Sequence, residues 1–202
     1  MKKLVLLCAL LVLSCQKKDG MQNHETTLNA IVSDVKYEDF LKQIHSKTES
    51  EKSTYFFTFI NYDIPKYWKD TPWSFGGTTR KPKSGNIACG YFVTNTLSDF
   101  GIKIERVFLA QQPSSVMIKK LCSDIKYFTQ RKDLENYILK QPKNTVYIVG
   151  LDFHTGFITR EDKDTYFIHS NYIRNKGVVK ENTESSQALN SSKTYMIGTL
   201  KY

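Results

Sequence analysis

The sequence predicts an α+β fold, because helical patterns come first along the chain and strand patterns dominate afterwards. The clearest helix runs from Cys89 to Phe100, where apolar residues recur at helical spacing and Gly101 supplies a stop signal. Four β-rich runs follow, over residues 145–149, 154–159, 165–169 and 194–200. A polar turn at residues 161–164 joins the middle two runs into a hairpin, so we expect an antiparallel sheet.

Shorter segments complete this outline. Residues 37–46 carry apolar side chains at helical spacing and predict a short amphipathic helix. Residues 53–62 are rich in aromatic residues and fit either a strand or a buried helix. Residues 70–83 contain Pro and Gly and predict a loop, whereas residues 134–140 predict a helix that is closed by Pro142.

The N-terminus predicts a signal peptide, residues 1–15, that ends at a lipid attachment site. A basic start precedes an apolar run, residues 4–13, that is too short to span a membrane. The run ends at Ser14 and Cys15, and a small residue before a cysteine is similar to the lipobox of bacterial lipoproteins, in which the cysteine is acylated. An ordinary secretory signal cut near Ser14 is the alternative; a transmembrane helix is disfavoured because charged residues follow so soon.

Cleavage at this site would leave three parts: the lipidated Cys15, a polar flexible tether over residues 16–27, and a single domain over residues 28–202. The remaining length of about 170 residues can bury one sizeable core and is too short for two comfortable domains. We therefore expect a monomer in the bacterial cell envelope, held by its lipid to the outer membrane on the periplasmic face or at the cell surface.

The charge balance indicates which partners to expect. The chain has 29 basic and 20 acidic residues, a formal net charge of +9, which loss of Lys2 and Lys3 with the signal would lower by two. A basic protein outside the cytoplasm suits anionic partners such as lipid headgroups or wall polymers rich in carboxylates. Nucleic acid is not expected, because the lysines are scattered without a recognition motif. No metal or other cofactor is expected, because no group of His, Cys and carboxylates has ligand spacing.

Cys89 is the candidate nucleophile. It lies where the polar loop 84–88 gives way to the helix, and unpaired N–H groups at a helix N-terminus stabilise a thiolate and lower its pKa. Gly90 beside it would leave room for a substrate near the backbone. A buried structural thiol is the alternative, and a disulfide to Cys122, which an oxidising compartment permits, would inactivate Cys89.

Two of the four histidines fall in the predicted hairpin and are candidates for the base. A turn centred on Asp162 and Lys163 places Gly156 opposite His169, and His154 opposite Asn171. In that register His154, His169 and Asn171 share one face of the sheet, although a slip of one residue would separate them. A base with an orienting partner is what Cys–His catalysis requires. Two strand histidines without a catalytic role are the alternative.

An ordered set of short motifs resembles the NlpC-type cell-wall peptidases, which are papain-like cysteine enzymes. The set spans residues 71–180 and consists of Thr71-Pro72-Trp73-Ser74-Phe75-Gly76-Gly77, Cys89-Gly90-Tyr91-Phe92-Val93, His154-Thr155-Gly156-Phe157-Ile158 and Ile168-His169-Ser170. Three positions depart from the family pattern: Ala88 replaces an aspartate, Gly90 a serine, and Trp73 a tyrosine.

The resemblance implies a papain-like domain in which the nucleophile helix packs on the antiparallel sheet. It also implies a cysteine hydrolase that cleaves a peptide amide in peptidoglycan stem peptides, with Cys89 as nucleophile, His154 as base and His169 as orienting residue. Asn171 is the alternative orienting residue, and Trp73 and Gly90 are possible oxyanion or substrate contacts. Two other functions stay open: a binding lipoprotein without catalysis on the same fold, and acyl transfer through the same thioester chemistry.

Overall fold

The α+β class is confirmed by a computed structural model, in which residues 36–200 are described. The described residues form one six-stranded sheet with helices on both faces. The signal peptide, Cys15 and the tether of the sequence prediction lie outside the described residues. Within residues 36–200, no helix combines the length and the apolar character needed to cross a membrane.

All neighbouring strands of the sheet are antiparallel, in the order β1-β6-β2-β3-β4-β5. The strands are β1 (Cys122–Phe128), β2 (Val146–Gly150), β3 (Thr155–Glu161), β4 (Asp164–Asn171), β5 (Gly177–Asn182) and β6 (Tyr195–Leu200). The two edge strands, β1 and β5, have no counterpart in the sequence prediction. The four predicted strands form the continuous centre of the sheet.

The helices are α1 (Tyr37–His45), α2 (Glu49–Thr58), α3 (Ile64–Trp68), α4 (Cys89–Phe100), α5 (Arg106–Ala110), α6 (Ser114–Leu121), α7 (Arg131–Ile138) and α8 (Gln187–Asn190). A π-helical turn, Phe59–Asp63, connects α2 to α3, and a 3₁₀ turn, Ile173–Asn175, precedes β5. The predicted boundaries of α4 are confirmed at both ends, and Gly101 ends the helix in the left-handed region at φ 102°.

The ambiguous run over residues 53–62 is helical, and its start is fixed locally. Thr48 caps α2 by accepting a hydrogen bond from the backbone N–H of Glu51, while the Glu51 carboxylate accepts one from the backbone N–H of Thr48. The aromatic residues of this run then pack inward, as in the ring contact of Phe59 with Phe100 of α4.

The core has two layers, one on each face of the sheet. On one face Phe157 of β3 contacts Phe92 of α4 at a ring distance of 6.2 Å, and Ile168 joins the same cluster. On the other face Phe167 clusters with Leu134 of α7 and with α8. Each such fully buried side chain stabilises the fold by about 2 kcal/mol.

The predicted register of the hairpin is confirmed. Phe157 pairs with Ile168 and Ile158 with Phe167, which is the pairing that a turn centred on Asp162 requires. A slip of one residue would have turned the strand side chains to the opposite face. The register therefore fixes where the hairpin histidines lie.

Candidate functional site

Cys89 begins α4, and the chain before it is held in place by the loop at residues 71–79. The Ile87 N–H donates to the Pro72 carbonyl and the Ala88 N–H to the Gly77 carbonyl, both at 2.9 Å. Ala88 is extended, with φ −79° and ψ 157°, so the chain turns sharply into the helix at Cys89. These bonds hold the backbone of the predicted loop against the segment that enters α4.

Gly77 is the loop residue whose lack of a side chain matters. A Cβ at this position would lie 2.6 Å from the backbone of Asn86 and Ile87, closer than real Cβ contacts allow. By contrast, a Cβ at Gly76 would meet nothing within 4 Å. Only the second glycine of the pair is required for the loop to close on the segment that enters α4.

Gly90 is required by packing, and the expected room for a substrate beside its Cα is already filled. A Cβ at this position would lie 2.3 Å from the Ala110 carbonyl oxygen, because the end of α5 packs against the first turn of α4. The departure from the serine of the resembling family therefore has a structural cause. The Gly90 backbone still lines the cleft beside Cys89.

The two hairpin histidines contact each other directly. His154 immediately precedes β3, His169 lies within β4, and Nε2 of His154 is 2.7 Å from Nδ1 of His169. Both rings are buried. A Cβ on Gly156 would lie 2.7 Å from the Cβ of His169, so the absence of a side chain at Gly156 lets His169 pack against the backbone of β3.

Asn171 does not take the orienting position. Its side-chain oxygen accepts a hydrogen bond from the Ile173 N–H at 2.8 Å, and its backbone pairs with Gly177 of β5. Because β3 begins only at Thr155, the pairing expected between His154 and Asn171 is not formed. The described structure assigns the partner position at His154 to His169.

Glu181 joins the site although the sequence analysis did not single it out. Its Oε1 lies 3.2 Å from Nε2 of His169, on the side of the ring opposite His154. It belongs to β5, which the sequence prediction missed, and that omission concealed it. The available signal was the alternation of Val179 and Glu181 after the β-branched pair at residues 178–179, and only a strand assignment places both side chains on one face.

Cys89 and His154 line the same cleft but make no hydrogen bond to each other in the described structure. The backbone N–H groups of Thr155, Gly90 and Cys89 instead act on the Cys89 thiol, and they lower its pKa. Thr155 begins β3 and directly follows His154, so the thiol lies near the start of this strand. Catalytic hydrogen bonds are often loose until substrate is bound.

Burial shifts the ionisable groups of the site toward their neutral forms. It raises the pKa of the Cys89 thiol, although the backbone N–H groups of Thr155, Gly90 and Cys89 oppose this shift. The lowering expected from the helix N-terminus is thus present and is outweighed. Burial also lowers the pKa of His154 well below its ordinary value, with a further contribution from His169, and lowers the pKa of His169 despite the Glu181 carboxylate.

The cleft around Cys89 has a volume of about 1480 Å³ and is lined largely by aromatic and small residues. Trp73 lies in its wall, 6.2 Å from the Tyr172 ring, which in turn lies 5.1 Å from the His154 ring. Phe75 and Phe153, which are 90% and 96% exposed, also line it. These values indicate apolar surface that is open to a ligand.

The charges that line the cleft are acidic. Asp133 and Asp152 belong to the lining, and none of the described lining residues is Lys or Arg. Hydrogen bonds from Thr194 and Lys193 lower the pKa of Asp152, so this group is a carboxylate at neutral pH. The positive net charge of the chain therefore does not extend into the described cleft wall.

The disulfide between Cys89 and Cys122 that the sequence permits is not formed. Cys122 is buried at the start of β1 and is not bonded to Cys89. Cys89 is half-buried and keeps its thiol. Within residues 36–200 no group of three His, Cys or carboxylate side chains is arranged to hold a metal ion.

Comparison with known proteins adds no assignment: no family model matches the chain, and no curated protein or solved structure matches it.

Proposed function

We propose that this protein is a papain-like cysteine hydrolase that cleaves a peptide amide, with Cys89 as nucleophile and His154 as base. The observation that carries the proposal is the shared cleft: a thiol at the start of a helix and His154, whose ring contacts the buried His169, line the same space. Nucleophile, base and orienting partner are the three elements of cysteine catalysis. The proposal also rests on the resemblance to the NlpC-type peptidases.

The reaction begins with a proton transfer. The Nε2 atom of His154 is engaged by His169, so Nδ1 is the atom that takes the proton from Cys89. Rotation of the Cys89 side chain between staggered positions brings the sulfur toward that nitrogen. The sulfur then attacks the amide carbonyl, and a new carbon–sulfur bond forms.

The tetrahedral intermediate carries its negative charge on the former carbonyl oxygen. The Cys89 backbone N–H donates to this oxygen, and the Trp73 indole N–H is a second donor from the cleft wall. His154 returns the proton to the leaving amine as the carbon–nitrogen bond breaks. A water molecule then attacks the thioester, His154 accepts its proton, and the carboxylate product leaves with Cys89 restored.

The cleft favours an amide whose nearest substituents are uncharged. Its aromatic wall and its two carboxylates, Asp133 and Asp152, give no counter-charge for an anionic group next to the scissile bond. A stem peptide of peptidoglycan would therefore bind with its own carboxylates outside this space. The lipid anchor predicted at Cys15 would keep the enzyme at the cell envelope, where that substrate occurs.

The test is digestion of purified peptidoglycan by the full chain, with the released fragments identified by mass spectrometry. We expect new amino and carboxyl ends at one amide position, and their loss in Cys89→Ala and His154→Ala. A product in which an added amine replaces water would identify acyl transfer instead. Fragments that persist in Cys89→Ala, or no reaction of the thiol with iodoacetamide, would overturn the proposal.

A binding lipoprotein without catalysis is the second candidate. Two observations favour it: Cys89 and His154 make no hydrogen bond, and Phe75 and Phe153 expose two rings beside the cleft. Binding of peptidoglycan fragments that survives in Cys89→Ala and falls in Phe153→Ala, without any cleavage by the unaltered protein, would support this function over hydrolysis.

A further inference from the structure

Glu181 lies at the far end of a line of three side chains that begins at the base of the proposed site. We propose that Glu181 is a positioning residue, which fixes the tautomer of His169 and through it the tautomer of His154, so that Nδ1 of His154 carries the lone pair. This inference rests on the proposed function for its catalytic meaning. The arrangement of tautomers is a property of the resting protein and can be measured without a substrate.

The β4–β5 pairing places Glu181 beside His169. His169 pairs with Val179, and Phe167 pairs with Glu181, so the carboxylate is the diagonal neighbour of the imidazole on the same face. The Phe167 ring stacks on His169 at a centroid distance of 3.9 Å and an interplanar angle of 16°. The imidazole is thereby held in one plane, with one nitrogen toward His154 and the other toward Glu181.

The hydrogen-bond roles follow from the carboxylate. An ionised carboxylate only accepts, so Nε2 of His169 must carry the hydrogen that it receives. In a neutral imidazole the other nitrogen, Nδ1, is then an acceptor, and the N–H at Nε2 of His154 donates a hydrogen bond to it. His154 is left with an unprotonated Nδ1. The reverse arrangement would put a hydrogen on that nitrogen and leave it unable to accept a proton from the thiol.

The surroundings of the line keep Glu181 charged and both rings neutral. Burial alone would raise the pKa of Glu181, but hydrogen bonds from His169 and Ser186, and the charge of Lys176, hold it below its ordinary value. Burial lowers the pKa of His169, with Lys176 acting in the same direction and Glu181 against it. The described contacts thus favour a carboxylate next to a neutral imidazole at neutral pH.

The direct test is nitrogen-15 NMR of the full chain labelled at histidine, since the pattern of couplings distinguishes the two neutral tautomers. Only four histidines contribute signals, and His154→Ala and His169→Ala assign two of them. At pH 7 we expect the hydrogen on Nε2 in both His154 and His169. A hydrogen on Nδ1 of His154 in the unaltered protein would overturn the inference, and this measurement needs no variant of Glu181.

Glu181→Gln removes the charge with little change of shape. A glutamine amide can either donate or accept, so we expect a mixture of tautomers at His169 and a fall in the rate of Cys89 alkylation of between about 10-fold and 10⁴-fold. The matched control is Glu184→Gln, the same substitution at an exposed position of the next turn, which should change neither readout. Unchanged tautomers in Glu181→Gln would overturn the positioning role.

The two proposals fail in distinguishable ways. If the expected tautomers are present and respond to Glu181→Gln while peptidoglycan is not cleaved, the proposed hydrolase is refuted and the positioning role of Glu181 stands. If cleavage depends on Cys89 and His154 but Glu181→Gln leaves the tautomers unaltered, the hydrolase stands and the positioning role is refuted.

Discussion

Adding one methyl group at Gly156 should displace His169 and so disturb its contact with His154. In Gly156→Ala the new Cβ would lie 2.7 Å from the Cβ of His169, 2.7 Å from the Phe167 ring and 2.8 Å from the Ile168 carbonyl oxygen. Carbon atoms in contact normally lie about 3.5–4.0 Å apart, so these neighbours must move by about 1 Å. Overpacking of this kind costs about 1–3 kcal/mol of unfolding free energy.

The same displacement acts on the site chemistry. His154 and His169 lie 2.7 Å apart, and a shift of about 1 Å in His169 lengthens that contact beyond hydrogen-bond distance. Misplacement of a catalytic group by about 1 Å can lower a rate by about 10²-fold. We therefore expect Gly156→Ala to lose stability and Cys89 reactivity together.

The assay pairs thermal unfolding with the rate of iodoacetamide alkylation at Cys89 and pH 7. For a domain of this size a loss of about 2 kcal/mol lowers Tm by roughly 4–8 °C. The control is Gly76→Ala, because a Cβ at that loop position meets nothing within 4 Å and should leave Tm and the rate unchanged. Gly156→Ala with the Tm and alkylation rate of the unaltered protein would refute the argument.

Three further outcomes follow from the site. Because burial raises the pKa of Cys89, its alkylation should speed up as pH rises through a midpoint above the ordinary thiol value of about 8.5; a flat rate down to pH 6 would instead indicate a resting ion pair with His154. Gly90→Ser, which introduces the serine of the NlpC-type pattern, should cost about 1–3 kcal/mol in urea unfolding, because the Cβ would lie 2.3 Å from the Ala110 carbonyl oxygen; unchanged stability would contradict that contact. Asn171→Ala should cost about 1 kcal/mol of stability and leave the alkylation rate within about twofold, because its oxygen serves the turn at Ile173; a rate loss as large as that of His169→Ala would return the orienting role to Asn171.

The sequence predicted the centre of the fold where local signals were strong. Helix α4 was found at its observed boundaries because its apolar face is continuous and Gly101 ends it in the left-handed region. The hairpin register followed from four consecutive polar residues, 161–164, between two apolar runs. The predicted hairpin register was sufficient to place His154 and His169 on the same face of the sheet as neighbours.

The edge strands were missed for a physical reason. Strand β1 pairs on one side only, has a register shift between Ser123 and Lys126, and holds Asp124 at φ 47°, so its hydrophobic alternation is weak. Strand β5 carries three polar residues in succession, 180–182, as edge strands often do. Glu181 was not predicted as a site residue because β5 was not predicted. The close approach of Ala110 to Gly90 could not be predicted because it depends on the packing of two helices.

Because Cys89 and His154 are neutral at rest, the tautomer of His154 matters more than it would in a resting pair of thiolate and imidazolium. When a thiolate faces an imidazolium, both ring nitrogens carry hydrogens and no tautomer has to be chosen. In this site burial raises the pKa of Cys89 and lowers that of His154, and both changes disfavour the charged pair, by about 1.36 kcal/mol for every tenfold change in an acid dissociation constant. In the proposed hydrolase mechanism, proton transfer then accompanies attack by the sulfur, and only a nitrogen that is already unprotonated can accept the proton. The more strongly burial suppresses the ion pair, the more the rate depends on His169 and Glu181 holding His154 in the single tautomer that accepts a proton.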